Sequence, residues 1–172
     1  NAGIARDNLL LRMDECDWDE VIRVNLKSVF NTVKAATKTF IKQRSGSIIN
    51  ISSLAGKRGS ANNSVYCATK FGVNGVTQAL AKELGSRGIR VNAICPVYVD
   101  SPGLTKALQE NLAPPRGQDV QRYLEQFAAE NSALQRLPQG EELADACIFL
   151  ASPAASAITG QCINIDCGVL PQ

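Results

Sequence analysis

The chain has 172 residues, 45% of them hydrophobic, and its 18 basic and 16 acidic residues give a formal net charge of +2. This length suits one domain with its own core, and so small a charge favours neither a nucleic acid nor an acidic surface as partner. The sequence has no histidine, which excludes a Ser-His-Asp triad and a mixed Cys/His zinc site, and we expect no metal site.

The six cysteines are scattered along the chain, so we expect reduced, structural thiols rather than a disulfide framework. No apolar run approaches the roughly 20 residues that a membrane helix needs, and we expect no membrane partner and a cytoplasmic location. No repeat, low-complexity tract or linker divides the sequence. Residues 1–172 are therefore interpreted as a single domain or part of one.

A long helix is predicted from about residue 17 to residue 43. Its inner face is marked by apolar and small residues at three- and four-residue steps, namely Val21, Val24, Ser28, Val29, Thr32, Ala36 and Phe40. Asn25 lies on the same face, where an amide is costly unless it finds hydrogen-bond partners. Asn25 is therefore either a satisfied structural amide or a functional residue.

A buried parallel strand is predicted at residues 46–52, because the run is short and rich in β-branched side chains. Ser53 follows it directly. Open α/β sheets bind ligands outside the carboxyl ends of their strands, so the Ser53 hydroxyl is predicted to face a ligand crevice. The following loop, residues 55–63, contains Lys57 and Arg58, which either meet an anionic substrate or are ordinary solvated charges.

Tyr66 and Lys70 are four residues apart in the next predicted helix, so their side chains leave the same face one turn apart. A free phenol titrates near pKa 10, and a neighbouring ammonium favours the phenolate. We therefore expect Lys70 to lower the pKa of Tyr66 and to make it usable as a general acid or base. The alternative is a helix-face aromatic beside a solvated lysine.

The remaining predicted elements are a strand at 89–94, amphipathic pieces at 104–112 and 120–134 around a break at 113–117, a helix at 141–152 and a strand at 161–166. Three arginines near these pieces are candidate anion contacts, with surface placement as the alternative: Arg116, Arg122 and Arg136.

These motifs resemble the short-chain dehydrogenase/reductase family. The resemblance rests on Ser53, on Tyr66 to Lys70, and on segments in the family's order and spacing: Asn1-Ala2-Gly3, the surroundings of Asn25, residues 88–96 and Thr159-Gly160-Gln161. It implies an α/β fold, the C-terminal part of a Rossmann-type doubly wound parallel sheet with helices on both faces, and a substrate lid at about residues 102–137. The family's glycine-rich phosphate turn is not in the sequence, so we expect a partial domain.

The resemblance also assigns roles. Asn25, Ser53, Tyr66 and Lys70 would be catalytic, with Ser53 orienting the substrate oxygen and Asn25 holding a water that completes a proton relay. The cofactor, NAD or NADP, would contact Asn1, Ala2, Gly3, Tyr66, Lys70, Pro96, Val97, Val99 and Ser101. Val97 and Cys167 depart from the family, which usually has glycine at both positions. A branched side chain at Val97 would disfavour positive φ and close approach to a cofactor.

The implied function is an NAD(P)-dependent oxidoreductase that interconverts a secondary alcohol and a ketone on a small polyol, diol or sugar alcohol. A 3-oxoacyl-thioester reductase is the alternative with the same chemistry. A non-catalytic fragment or interaction protein that binds no cofactor is the alternative of another class. Members of the family associate, so a homodimer or homotetramer is expected.

Overall fold

The computed structural model describes residues 3–110, 117 and 119–171. Three strands form one parallel sheet in the order β1-β2-β3: β1 is Gly46–Ile51, β2 is Ile89–Pro96 and β3 is Cys162–Ile165. The register pairs Gly46 with Ile89 and Ala93 with Cys162. All three predicted strands are present, and their carboxyl ends meet at one edge of the sheet.

Six α-helices accompany the sheet in the described residues: α1 Glu15–Ile22, α2 Ser28–Gln43, α3 Ser64–Leu84, α4 Pro102–Glu110, α5 Val120–Asn131 and α6 Gly140–Ala151. Helices α2 and α3 cover one face, where buried residues of α3 pack on β2, and α6 covers the other. This arrangement confirms the predicted C-terminal part of a doubly wound sheet.

The core follows the alternation of side chains along each strand. Ile48 and Val91 pack beneath α3 with Leu84, whereas Ile49 and Ile94 face α6 with the residues of a second cluster. A strand that is apolar on both faces is covered on both faces, which explains the continuous hydrophobic runs in the sequence.

The predicted long helix is interrupted by a π-helical turn at Arg23–Lys27. A π turn contains one extra residue, so every later side chain is rotated by about one helical position. The assignment of Thr32 to the inner face is therefore wrong: Thr32 is exposed, and Val33 is buried in its place. Before the turn, and for the residue at its centre, the prediction is correct, since Val21 and Asn25 are both buried.

Helices α4 and α5 pack together over a small core of their own that contains Leu108, Leu124 and Leu137. Helix α5 ends at Asn131, three residues before the predicted end, because Ser132 is extended. Its Oγ lies 2.9 Å from the backbone carbonyl oxygens of both Arg136 and Cys167, to either of which its proton can be donated. Most of the predicted break at 113–117, including Arg116, lies outside the described residues.

No helix in the described part of the chain is long and apolar enough to cross a membrane. The six cysteines are free thiols, in agreement with the prediction. The described apolar residues of α4 and α5, with Leu137, pack as a separate cluster against Val97 and Tyr98 of the loop after β2. The segment at about 102–137 stays a predicted substrate lid.

Candidate active site

Ser53 lies just beyond the carboxyl end of β1 and begins a short 3-10 turn, Leu54–Gly56. Its Oγ accepts a hydrogen bond from the backbone N–H of Ala55 at 3.1 Å. The hydroxyl proton points to the Pro96 carbonyl at 3.5 Å, too long for a strong bond, and the side chain also hydrogen bonds the phenol of Tyr66. Ser53 is therefore held in place by the Ala55 N–H and by its contact with Tyr66, and its long bond to Pro96 can be exchanged for a shorter one to a substrate oxygen.

Tyr66 and Lys70 lie one turn apart in α3, as the spacing predicts. The ammonium nitrogen of Lys70 is 5.5 Å from the centroid of the Tyr66 ring. It also donates a 2.9 Å hydrogen bond to the carbonyl of Ile51, the last residue of β1. Lys70 is only 7% exposed, so this bond and the ring fix its position beneath the phenol.

The pKa values of these two residues shift in directions set mainly by burial. Burial raises the pKa of Tyr66 above its ordinary value, the Ser53 hydrogen bond lowers it by less, and the nearby charges of Asp7 and Cys67 add to the rise. Burial also lowers the pKa of Lys70, partly countered by Cys95. The prediction that the ammonium lowers the pKa of Tyr66 is therefore wrong as a net effect, because desolvation of the phenolate dominates.

Asn25 lies within the π turn and is 2% exposed. Its Oδ1 accepts from the backbone N–H of Ile4 at 2.9 Å, and its Nδ2 donates to the carbonyl of the same residue at 2.8 Å. Nδ2 also lies 3.4 Å from Oγ1 of Thr69, which itself donates to the carbonyl of Tyr66 at 2.7 Å. The side chain of Asn25 thus joins the segment after Gly3 to the helical turn that carries the phenol.

Several residues that support Lys70 were not identified from the sequence. Ser52 Oγ donates to the Lys70 carbonyl at 3.2 Å, and Nδ2 of Asn74 donates to the Gly56 carbonyl at 2.9 Å. Gly56 approaches so closely that a Cβ there would lie 2.6 Å from the Lys70 carbonyl oxygen. The only sequence signal was the small and polar composition of these positions, which does not reveal a contact between distant segments.

Comparison with known proteins gives the family. Residues 1–170 match the sequence family described as "Enoyl-(Acyl carrier protein) reductase". The chain belongs to the short-chain dehydrogenase/reductase family. This membership agrees with the resemblance drawn from the motifs.

The most similar relatives in sequence include two proteins named 3-oxoacyl-[acyl-carrier-protein] reductase. The one from Thermotoga maritima is 45% identical over 99% of this chain, and the one from Chlamydia trachomatis is 44% identical over 98%. The chain spans 64% and 63%, respectively, of the length of these curated relatives. It therefore corresponds to somewhat under two thirds of each of these members of the short-chain dehydrogenase/reductase family.

Solved structures of the family share the fold. A protein described as a 2-deoxy-D-gluconate 3-dehydrogenase from Agrobacterium tumefaciens, with bound NADP, superposes with a TM-score of 0.87 at 37% identity, covering 100% of this chain and 66% of the other. A gluconate 5-dehydrogenase from Burkholderia cenocepacia, in complex with NADP and tartrate, gives 0.87 at 31% identity, with coverages of 98% and 62%. The fold is thus a partial short-chain dehydrogenase/reductase domain.

The predicted cofactor contacts are only partly described. Asn1 and Ala2 lie outside the described residues, while Gly3 lies beside Asn25, with 3.8 Å between an ideal Cβ and Oδ1. Pro96 is buried at the end of β2. Ser101 caps α4, since its Oγ accepts from the backbone N–H of Leu104 at 3.2 Å. These assignments remain predictions.

The loop after β2 accommodates its non-glycine residue without strain. Val97 is not among the residues with positive φ, and its side chain packs against the cluster formed by α4 and α5. In the described part of the chain, no other residue hydrogen bonds the backbone N–H of Val99, and Lys70 Nζ uses one of its three protons, on Ile51. The Val99 N–H is therefore free to donate to the carboxamide of a nicotinamide cofactor, and the Lys70 ammonium is free to donate to the hydroxyls of its ribose.

Proposed function

We propose that the intact protein is an NADP-dependent reductase that converts a 3-oxoacyl thioester into a 3-hydroxyacyl thioester. The observation that carries the proposal is the meeting of Ser53, Tyr66 and Lys70 at the carboxyl end of β1. The thioester is chosen because the most similar curated relatives carry 3-oxoacyl reductase names at 44–45% identity. The alternative from sequence analysis is therefore preferred to the polyol substrate.

The proton step follows from the pKa of Tyr66. Burial raises this pKa, so the phenol is protonated at neutral pH and can act as the general acid for the ketone oxygen. Ser53 donates a second hydrogen bond to the same oxygen and stabilises the negative charge that develops on it. Both donors are oriented before substrate binds, Ser53 by Ala55 and Tyr66 by its helix.

Lys70 stabilises the phenolate that remains after proton transfer. Its ammonium lies 5.5 Å from the ring centroid and is held by the Ile51 carbonyl, so no side-chain reorganisation is needed when charge appears. The remaining ammonium protons would bind the ribose hydroxyls of NADP. The Val99 backbone N–H would bind the carboxamide, and Gly3, Pro96, Val97 and Ser101 would complete the cofactor contacts with Asn1 and Ala2. When bound, the reduced nicotinamide supplies the hydride.

A second candidate is oxidation of a small polyol or sugar acid. Two structural neighbours named as gluconate-type dehydrogenases, at TM-scores of 0.87, favour it. Of the arginines considered as anion contacts, Arg136 is already engaged by the carboxylate of Glu142 at 2.6 and 2.8 Å. That engagement weakens the case for an anionic sugar substrate beside the lid.

The test uses the intact protein with NADPH and follows loss of reduced-cofactor absorbance with acetoacetyl N-acetylcysteamine thioester. Gluconate with NADP is measured in parallel. We expect turnover of the thioester and a loss of at least about 100-fold in Tyr66→Phe, the usual contribution of a positioned general acid. Calorimetric NADPH binding by the variant is the control for folding. Turnover that persists in Tyr66→Phe, or activity on gluconate alone, would contradict the proposal.

We also propose that the protein is a homo-oligomer. Phe30 on α2 and Phe71 on α3 are 55% and 48% exposed, on the two long helices that the family resemblance assigns to subunit contacts. Aromatic side chains are enriched in the cores of protein–protein interfaces, so Phe30 and Phe71 are candidate contact residues. Light scattering of the intact protein is expected to give the mass of two or four chains, and the mass of one chain would contradict this proposal.

A further inference from the structure

Tyr98 lies in the loop after β2, two residues beyond Pro96, whose carbonyl faces the Ser53 hydroxyl at 3.5 Å. Its ring packs edge-on against Phe127 at 5.0 Å between centroids and against Tyr123 at 6.3 Å. Both partners belong to α5, so Tyr98 lies between the Ser53 side of the site and the lid. Two edge-to-face contacts restrict its ring to one orientation.

The hydroxyl of Tyr98 is poorly satisfied. Its partner in the described residues is the hydroxyl of Tyr123 at 3.5 Å, whereas an ordinary O–H···O bond is about 2.7–2.8 Å long. A half-buried hydroxyl with so weak a bond gains free energy when a substrate oxygen offers a shorter one. The Tyr98 hydroxyl can therefore donate a further hydrogen bond, and the contacts of its ring with Tyr123 and Phe127 fix the orientation of that hydroxyl.

Tyr98 also remains protonated at neutral pH, so its hydroxyl can donate a hydrogen bond. Burial raises its pKa, with further contributions from Tyr123, Asp7 and Tyr66. The place of Tyr98 in the chain, two residues beyond the Pro96 carbonyl that faces the Ser53 hydroxyl, puts the loop that carries it on the Ser53 side of the site. The site therefore contains two oriented phenol donors, Tyr66 and Tyr98, with Ser53 as a hydroxyl donor beside the first.

A 3-oxoacyl thioester has two carbonyl oxygens separated by a single methylene carbon, and only one of them is reduced. We propose that Tyr98 is a specificity-determining residue that donates a hydrogen bond to the thioester carbonyl while Ser53 and Tyr66 hold the ketone. This inference rests on the proposed function. A site with a donor for each oxygen selects 1,3-dicarbonyl substrates over simple ketones, since a monoketone leaves the second donor without a partner.

The experiment compares two substrates in the intact protein: acetoacetyl N-acetylcysteamine thioester, and 2-butanone, a monoketone without the second carbonyl. Tyr98→Phe removes only the hydroxyl. We expect kcat/KM for the thioester to fall about tenfold, the loss that corresponds to one neutral hydrogen bond, while the value for the monoketone is unchanged. Phe127→Leu is the matched control, because it alters the packing of the Tyr98 ring and keeps its hydroxyl; both substrates should change by the same factor.

The outcomes separate the two proposals. If Tyr98→Phe reduces kcat/KM for both substrates equally, or for neither, the role of Tyr98 is wrong while the proposed function stands. If the unmodified protein does not reduce the thioester, the proposed substrate class fails and the inference fails with it. A tenfold change in the ratio of the two substrates in Tyr98→Phe, without a change of ratio in Phe127→Leu, supports the inference.

Discussion

Replacing Asn25 with leucine removes the hydrogen bonds that join the segment after Gly3 to the rest of the site. Leucine has the same number of side-chain heavy atoms as asparagine, but it can neither accept from the backbone N–H of Ile4 nor donate to its carbonyl. In the native protein these bonds are 2.9 and 2.8 Å long. Because Asn25 is 2% exposed, water cannot readily replace them.

The magnitude follows from counting the groups that lose a partner. Two backbone groups of Ile4 become unsatisfied, and each costs about 1–3 kcal/mol, so the free energy of unfolding should fall by about 2–6 kcal/mol. The contact at 3.4 Å with Thr69 is too long to add much. Turnover should fall as well, since Thr69 links this cluster to the turn of Tyr66.

The assay is urea unfolding of the intact protein, followed by circular dichroism, with turnover measured on the same samples. Asn31→Leu is the matched control, because Asn31 is exposed on α2 and surface changes are usually within about 0.5 kcal/mol. A loss below about 1 kcal/mol for Asn25→Leu would show that the segment at Ile4 does not depend on this amide, and the structural reasoning would be refuted.

Two further predictions concern the C-terminal turn and the start of α6. Cys167 has φ +54°, a left-handed conformation that costs a non-glycine residue about 1–2 kcal/mol. Cys167→Gly should recover this cost, less about 0.5–1 kcal/mol for the greater backbone entropy of glycine in the unfolded chain, and should therefore raise the urea midpoint. A lower midpoint would contradict the assignment of strain to this residue. Arg136 and the Gln139 N–H lower the pKa of Glu142 to about 2, so its contribution to stability is present above pH 4.5 and lost as the pH falls towards 2. In Glu142→Gln, the melting temperature should vary less with pH between about 4.5 and 2 than it does in the unmodified protein. An equal dependence on pH would contradict a stabilising ion pair between Arg136 and Glu142.

Local features of the site were predictable from the sequence. The spacing of Tyr66 and Lys70 places them one turn apart in any helix, and the position of Ser53 after a β-branched run places it at the end of a strand. Helical periodicity also turned Asn25 inward. These predictions depend on contacts between residues close in sequence or on the period of one element.

The features that were missed depend on distant segments. The pKa of Tyr66 rises because the folded protein covers the phenol, and no count of neighbouring charges along the chain reveals that burial. Gly56 reads as a loop glycine until its contact with the Lys70 carbonyl is seen. Val97 likewise reads as an obstacle to a cofactor, whereas its side chain packs against the apolar cluster of α4 and α5.

The π turn at Arg23–Lys27 holds one extra residue between α1 and α2, and that residue distorts only the turn itself. Deleting one residue there would restore regular α-helical winding and leave α1 and α2 in the same orientation relative to the sheet. Val33 would then stay in the core, whereas Asn25, which lies inside the turn, would lose the local geometry that brings its amide to Ile4. A homologue one residue shorter in this turn must therefore satisfy the backbone near position 4 by other means.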